Sequence, residues 1–169
     1  MITRIYEGNL FLLPKSETEA AVVTTNGVLK RDGRLVMGAG IAKYCRDRYT
    51  GIDEVLGRLV AADGNIAFFV GQWYDPLRDR ARLDPMVNVV SCPTKHHFKD
   101  GSDLRLIKQS CHAMYRIACE HRLTRVYIPA LGCALGGLDW TTQVEPICSA
   151  ILDDRFVAAI PASMVSNPG

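Results

Sequence analysis

Two glycine-rich stretches carry the first chemical signal. Gly38 and Gly40 in "LVMGAGIAK", residues 35–43, lead into a helical pattern at Ile41. Gly132, Gly136 and Gly137 in "PALGCALGGLDW", residues 129–140, lie between an apolar run and another helical pattern. Glycine lets a backbone turn sharply and come close to a ligand, and a helix entry offers N–H groups to an anion. One such loop is equally well a turn with a helix cap. Two of them, each between a strand and a helix, fit the opposite walls of a site for a diphosphate. Asn26 adds a third element, directly after the run "VVTT". Its carboxamide has two donors and an acceptor, a match to a pair of ribose hydroxyls. The dipeptide Asn26-Gly27 is also a common turn.

Other phosphate and metal chemistries fit less well. "GAGIAK" satisfies the dinucleotide fingerprint G-x-G-x-x-G/A only in part, since Lys43 stands at the third position. The fingerprint also needs a strand running straight into its first glycine, whereas "NGVLKRDGRLVM" follows the run that ends at Thr25. No G-x-x-x-x-G-K-[ST] motif occurs. His96 and His97 are adjacent and would point oppositely on a strand, with no third ligand at a usable spacing, so no metal is expected. Contact with a terminal phosphate remains open to either. The six cysteines, Cys45, Cys92, Cys111, Cys119, Cys133 and Cys148, form no C-x-x-C pair and read as reduced, mostly buried side chains.

The elements that must position these residues alternate along the chain. Apolar, β-branched runs recur at "TRIYEG", "AAVVTT", "NIAFFVGQW", "MVNVVSC", "RVYIPAL" and "RFVAAIP". Most are continuous, so both faces of the sheet are expected to be covered. Between them, Leu104, Ile107, Cys111, Met114, Ala118 and His121 mark one face of a helix over 102–121, with Ser102 as its N-cap. Further helices are predicted after Gly38, over 52–61, and from Asp139, where Val144, Ile147 and Ile151 turn inward and Pro146 kinks the helix or sits in its first turn. The alternation predicts an α/β sandwich with a mixed, mostly parallel sheet. Ligands of such sheets lie outside the strand carboxyl ends. There the loops after Thr25, Cys92 and Pro129 gather. Trp73 and Tyr74 read as edge or core aromatics.

The 169 residues suit a single domain, 1–169, with 48% apolar and 22% charged residues. No apolar run reaches the ~18 residues of a membrane span, and "MITRIYEGNLF" lacks the apolar core of a secretory signal, so a cytoplasmic protein without membrane contact is expected, a monomer by default. "ASMVSNPG" reads as a frayed tail with a partly apolar start. A net charge of +2, with neither a dense basic run nor aromatic–basic interleaving, argues against a sheet-based nucleic-acid binder.

"TTNGVLKRDGRLVMGAGIAK" and "IPALGCALGGLDW", together with the opening "EGNLF", resemble the macrodomain family of ADP-ribose binders over most of the chain. The likeness is to the bacterial and phage branch, with ADP-ribose 1″-phosphate phosphatase-like proteins and DNA ADP-ribosyl glycohydrolase antitoxins. It implies a three-layer α/β/α sandwich with ADP-ribose in a cleft across the strand ends and no cofactor. By this resemblance Gly8, Asn9 and Leu10 lie beside the adenine, with Asn9 where many members carry an aspartate. Asn26 holds the distal ribose. Gly38, Ala39, Gly40 and Ile41 line one diphosphate wall, and Gly132, Cys133, Ala134, Leu135, Gly136 and Gly137 the other. Ala134 replaces a frequent glycine, and Thr24, Thr25, Asn26 and Gly27 replace the common N-A-A-N strand end. In the glycohydrolase branch a segment similar to "SCPTKHHFKDGSDL" carries a catalytic lysine, here Lys95. Its amine can attack an opened ribose, or its ammonium can stabilise charge leaving C1″. Asp139 could pair with Lys95 or activate water, or simply cap the helix it opens. The partner is ADP-ribose or an ADP-ribosylated protein or nucleic acid. The resemblance leaves three activities open: release of ADP-ribose from a macromolecule, release of phosphate from ADP-ribose 1″-phosphate, and binding alone.

Overall fold

The computed structural model describes residues 2–5 and 9–165. Six strands form one sheet: β1 (Thr3–Ile5), β2 (Glu19–Thr25), β3 (Phe68–Tyr74), β4 (Met86–Pro93), β5 (Arg125–Ile128) and β6 (Phe156–Ala159). Their order is β1-β6-β5-β2-β4-β3. Every neighbouring pair is parallel except β3 with β4, which is antiparallel at the sheet edge. Each apolar run singled out in the sequence overlaps one of these strands.

Helices cover both faces. α1 (Gly40–Arg48) and α2 (Ile52–Asp63) pack on one side, where Ala21, Val23 and Val89 from the sheet meet Cys45, Tyr49, Ile52 and Leu56. α4 (Leu104–Glu120) and α5 (Glu145–Ile151) pack on the other, where Val22, Val90 and Ile128 meet Ile107, Cys111, Met114 and Cys148. The three-layer α/β/α sandwich follows from alternation on β2, whose successive residues feed the two cores in turn. Ile107, Cys111, Met114 and Ala118 are each at most 1% exposed, so the stripe predicted for α4 is its buried face. Each large apolar side chain so buried contributes about 1.5–3 kcal/mol.

Local details differ from expectation at three points. Asp103, not Ser102, caps α4, its carboxylate accepting from Arg105 N at 2.8 Å. His121 lies just past the last turn, exposed, with its ring stacked 3.9 Å from that of Phe69. A short helix, α3 (Pro76–Arg80), went unread in "DPLRDR" because five residues are too few for periodicity. Its cap, the fully buried Asp75, accepts from Leu77 N at 2.9 Å, Arg48 Nη2 at 2.6 Å and Tyr49 OH at 2.7 Å. Arg78, 1% exposed, donates to the carbonyls of Phe11, Pro14 and Asp84, tying this excursion to the segment before β2.

Pro146 sits in the first turn of α5, which follows a wide turn at Trp140–Val144 closed by Val144 N on Asp139 O at 3.2 Å. Val144 is buried, with Ile147 and Ile151 packed against the same core. Trp73 and Tyr74 lie on the edge strand, Trp73 against Tyr49 and Tyr74 exposed. The tail begins with a turn at Ala162–Met164, and Met164 and Val165 pack against the α4 side of the core. No helix among the described residues is long and apolar enough to cross a membrane.

Candidate functional site

A cleft of about 540 Å³ opens at the carboxyl ends of the parallel strands. β2 delivers Thr24, Thr25 and Asn26 to its floor, β4 continues into Thr94 and Lys95, and β5 into Pro129 and Ala130. The three loops expected to meet therefore do so.

The first wall is the entry to α1. Gly38, Ala39, Gly40 and Ile41 line it. Ala39 occupies the N-cap position without a side-chain hydrogen bond, and the helical bonding begins with Lys43 N on Ala39 O at 3.1 Å. The N–H groups before Lys43 have no partner within the helix, as at any N-terminus, and aim positive dipole at the cleft. Gly40 has φ +57°, a conformation L side chains rarely adopt.

The second wall is the loop after β5. Gly132, Cys133, Ala134, Leu135 and Gly136 line it. Gly136 is there for close approach. A Cβ at this position would lie 2.0 Å from Ser102 Oγ and 2.3 Å from Gly132 O, and Ser102 N donates to Gly136 O at 3.0 Å. The two walls face each other, since a Cβ on Gly40 would come 3.9 Å from Leu135 Cδ1. Cys133 is half-buried and its thiol donates to Leu131 O at 3.3 Å. Burial, then the nearby Asp139 carboxylate, pushes that thiol up to about 11, so it stays neutral near pH 7.

Lys95 sits between strand end and second wall. Its backbone is held on each side: Thr94 N donates to Thr25 O at 3.1 Å, Asn65 Nδ2 to Lys95 O at 2.9 Å, and Gly27 N to His96 O at 3.1 Å. Its Nζ reaches Leu135 O at 3.3 Å. Lys95 and Cys133 are the only titratable side chains among the described residues lining the cleft. His96 bonds Asp103 at 3.0 Å. That bond, with the N–H groups at the start of α4, holds the Asp103 carboxyl below the usual range.

Asn26 lines the cleft, 8% exposed, with its carboxamide partly engaged. Nδ2 donates to Val36 O at 2.8 Å and Oδ1 accepts from Val28 N at 2.9 Å. One N–H and one lone pair remain by the chemistry of the group. Leu10 lines the cleft, whereas Asn9 caps the turn Leu10–Leu12 through Phe11 N at 3.0 Å and donates to Tyr44 OH. Gly8 lies outside the described residues.

Gly137 and Asp139 are not among the lining residues. Asp139 Oδ1 accepts from Thr142 N and Thr142 Oγ1, each at 2.7 Å, and Asp139 N donates to Gln143 Oε1 at 2.9 Å. This is reciprocal helix capping. Lining residues that the sequence reading did not assign to the site include Thr94, Phe98, Met164 and Ser102, the last read there only as a helix cap. Phe98 carried a usable signal, a lone aromatic in the polar stretch "TKHHFKDG". Among the described residues no group of three or more His, Cys, Asp or Glu converges to hold a metal ion.

No protein-family model matches the chain. It is 30% identical over 138 residues to the DNA ADP-ribosyl glycohydrolases of Mycobacterium tuberculosis and Mycobacterium bovis. That stretch is 82% of this chain and 36% of each relative, so the chain spans about a third of their length. Among solved structures, the fold is similar to Thermosipho africanus DarTG in complex with ADP-ribose, with TM-score 0.71 and 20% identity over 95% of this chain and 42% of that one. The macrodomain of Mycobacterium tuberculosis DarG aligns with TM-score 0.67 and 24% identity, over 95% of this chain and 99% of that one. Sheet order, facing glycine loops and these likenesses agree: the chain has the macrodomain fold and is similar over most of its length to part of the bacterial DNA ADP-ribosyl glycohydrolases.

Proposed function

We propose that this chain binds ADP-ribose in the cleft and hydrolyses the bond from its distal ribose to a macromolecule, an ADP-ribosyl glycohydrolase reaction, with nucleic acid as the acceptor. The observation that carries this reading is the position of Lys95. The second titratable lining group, Cys133, is a neutral, backbone-bonded thiol, and no carboxylate lines the cleft among the described residues. Among the described residues the cleft thus offers an amine and no water-activating carboxylate, which favours chemistry at the amine.

In this reading the N–H groups of α1 and of the 132–136 loop hold the diphosphate from two sides, and Asn26 orients the ribose with its remaining N–H. With the ribose ring open, Lys95 Nζ adds to the C1″ carbon, and the acceptor leaves with a proton. Water then hydrolyses the resulting imine, releasing ADP-ribose and restoring the amine. Asp139 serves as a helix cap. The relatives named for action on ADP-ribosylated DNA support the choice of acceptor. The free thiols fit a reducing cytoplasm.

Lys95→Ala is the test. Calorimetric affinity for ADP-ribose should stay within about threefold. Release of ADP-ribose from an ADP-ribosylated oligonucleotide should fall by at least about 100-fold. Borohydride added during turnover should trap a secondary amine on Lys95. Undiminished turnover, phosphate release from ADP-ribose 1″-phosphate with no glycohydrolase activity, or binding with neither activity would each refute the proposal.

A further inference from the structure

Phe98 stands at the rim of the cleft with 42% of its surface exposed, and it belongs to neither core cluster. It lies in the run Lys95, His96, His97, Phe98, Lys99, where one lysine stands at each end of three ring side chains. The His97 ring stacks on it, centroids 4.4 Å apart and planes 28° from parallel. Lys99 Nζ lies 5.9 Å from its centroid, at the outer limit of a cation–π contact. The loop is a hydrogen-bonded turn. Lys99 N donates to His97 Nδ1 at 3.1 Å, Asp100 N to His97 O at 3.0 Å, and His96 bonds Asp103. Leu135 is also exposed on the cleft, at 70%.

An exposed aromatic with an ordered backing adds nothing to the core, but it suits a planar ligand. Lys95 fixes where such a ligand would lie. In the hydrolase reading, whatever is joined to C1″ lies beside that lysine, three residues from Phe98.

We propose that the His97–Phe98 pair is a stacking platform for the nucleobase that carries the ADP-ribose, with Lys99 placed for the adjoining backbone phosphate. This rests on the hydrolase reading above and extends it to a single-stranded nucleic acid, whose unpaired base offers a free π-face. A peptide acceptor has neither an obligatory flat ring nor regularly spaced anions. Stacking also explains why apolar Phe98 is tolerated beside two lysines: the ring reads the base while the cations meet the backbone.

The test uses Lys95→Ala protein, so that binding is read without turnover. Three probes are titrated: an ADP-ribosylated single-stranded oligonucleotide, an ADP-ribosylated peptide and free ADP-ribose. Adding Phe98→Ala should weaken the oligonucleotide about tenfold, the scale of one lost base–aromatic stack, and leave the other two within about twofold. Phe98→Trp should retain the oligonucleotide affinity. Lys99→Gln should lower the salt dependence of oligonucleotide binding alone. Unchanged oligonucleotide affinity in Phe98→Ala, or an equal loss for all three probes, would overturn the platform. Turnover of the same oligonucleotide by the Lys95-containing chain is measured in parallel. Its absence, with Phe98-dependent binding intact, would refute the hydrolase reading and support the platform. Turnover without any Phe98 dependence would do the reverse.

Discussion

Gly136→Ala should disable the nucleotide cleft without unfolding the chain. The added methyl would lie 2.0 Å from Ser102 Oγ and 2.3 Å from Gly132 O. The hydroxyl can rotate away, but the Gly132 carbonyl is backbone and must retreat by about 1 Å to reach ordinary contact. That movement breaks Leu138 N on Gly132 O, now 3.1 Å, and Ser102 N on Gly136 O, now 3.0 Å. Each bond is worth ~1 kcal/mol, and the overpacking itself ~1–3 kcal/mol. Loop relaxation recovers part of this, so melting should fall by roughly 5–10 °C, at about 2–4 °C per kcal/mol for a chain of this size. The same displacement withdraws the second wall's N–H groups from the diphosphate. Loss of one or two charge-assisted bonds predicts an affinity for ADP-ribose lowered by at least about thirtyfold, ~2 kcal/mol. Circular dichroism would show the fold and calorimetry the affinity. Adding Ser102→Ala should recover only part of the loss, because the backbone contact persists. A folded Gly136→Ala protein that binds ADP-ribose within threefold of the parent would refute the two-walled account of the cleft.

Two other perturbations follow from the geometry. Burial alone would raise the Asp75 carboxyl, but the bonds from Arg48, Tyr49 and Leu77 outweigh it and hold the group below the usual range. Its folded pKa thus lies below the unfolded value of ~3.9, so its stabilisation is complete above that pH and is lost as pH falls through the folded value. Asp75→Asn should cost about 3–5 kcal/mol at pH 7 by leaving Arg48 without its carboxylate, and should flatten the acid limb of stability. Urea melts at pH 7 and pH 3 would check this, and an unchanged pH slope would count against it. Asp139→Ala should remove a helix cap worth ~1 kcal/mol, with Asp139→Asn nearly neutral. If Asp139→Asn folds normally yet abolishes turnover of an ADP-ribosylated oligonucleotide, Asp139 does more than cap.

The strands were readable because a parallel sheet covered on both faces needs unbroken apolar runs, and "AAVVTT" and "MVNVVSC" have no other use. α4 was readable because its buried stripe repeats over five turns. The glycine walls could be paired because both lie between a strand and a helix, and in a parallel sheet such loops share one edge. Arg78 was opaque. Its partners are carbonyls of residues 11, 14 and 84, and main-chain oxygens leave no mark in a sequence. The use of Asp103 and not Ser102 as the cap was hidden because the Ser102 side chain lies beside Gly136, a proximity made through folding. The engagement of Asn26 with Val28 and Val36 was hidden for a similar reason: a reversal after a strand, not a pattern of residue types, brings them together.

The middle placement of β2 bears on how this molecule can respond to a nucleotide. Both edges of that strand are paired, with β4 from Ala20 to Thr25 and with β5 from Glu19 to Ala21. Its amide protons therefore exchange with solvent through opening of the whole sheet, and occupancy of the crevice should slow them only as far as it raises global stability. The extra, local protection should fall on residues 38–42 and 132–137, which makes deuterium uptake in those two segments a direct gauge of how tightly the loops close.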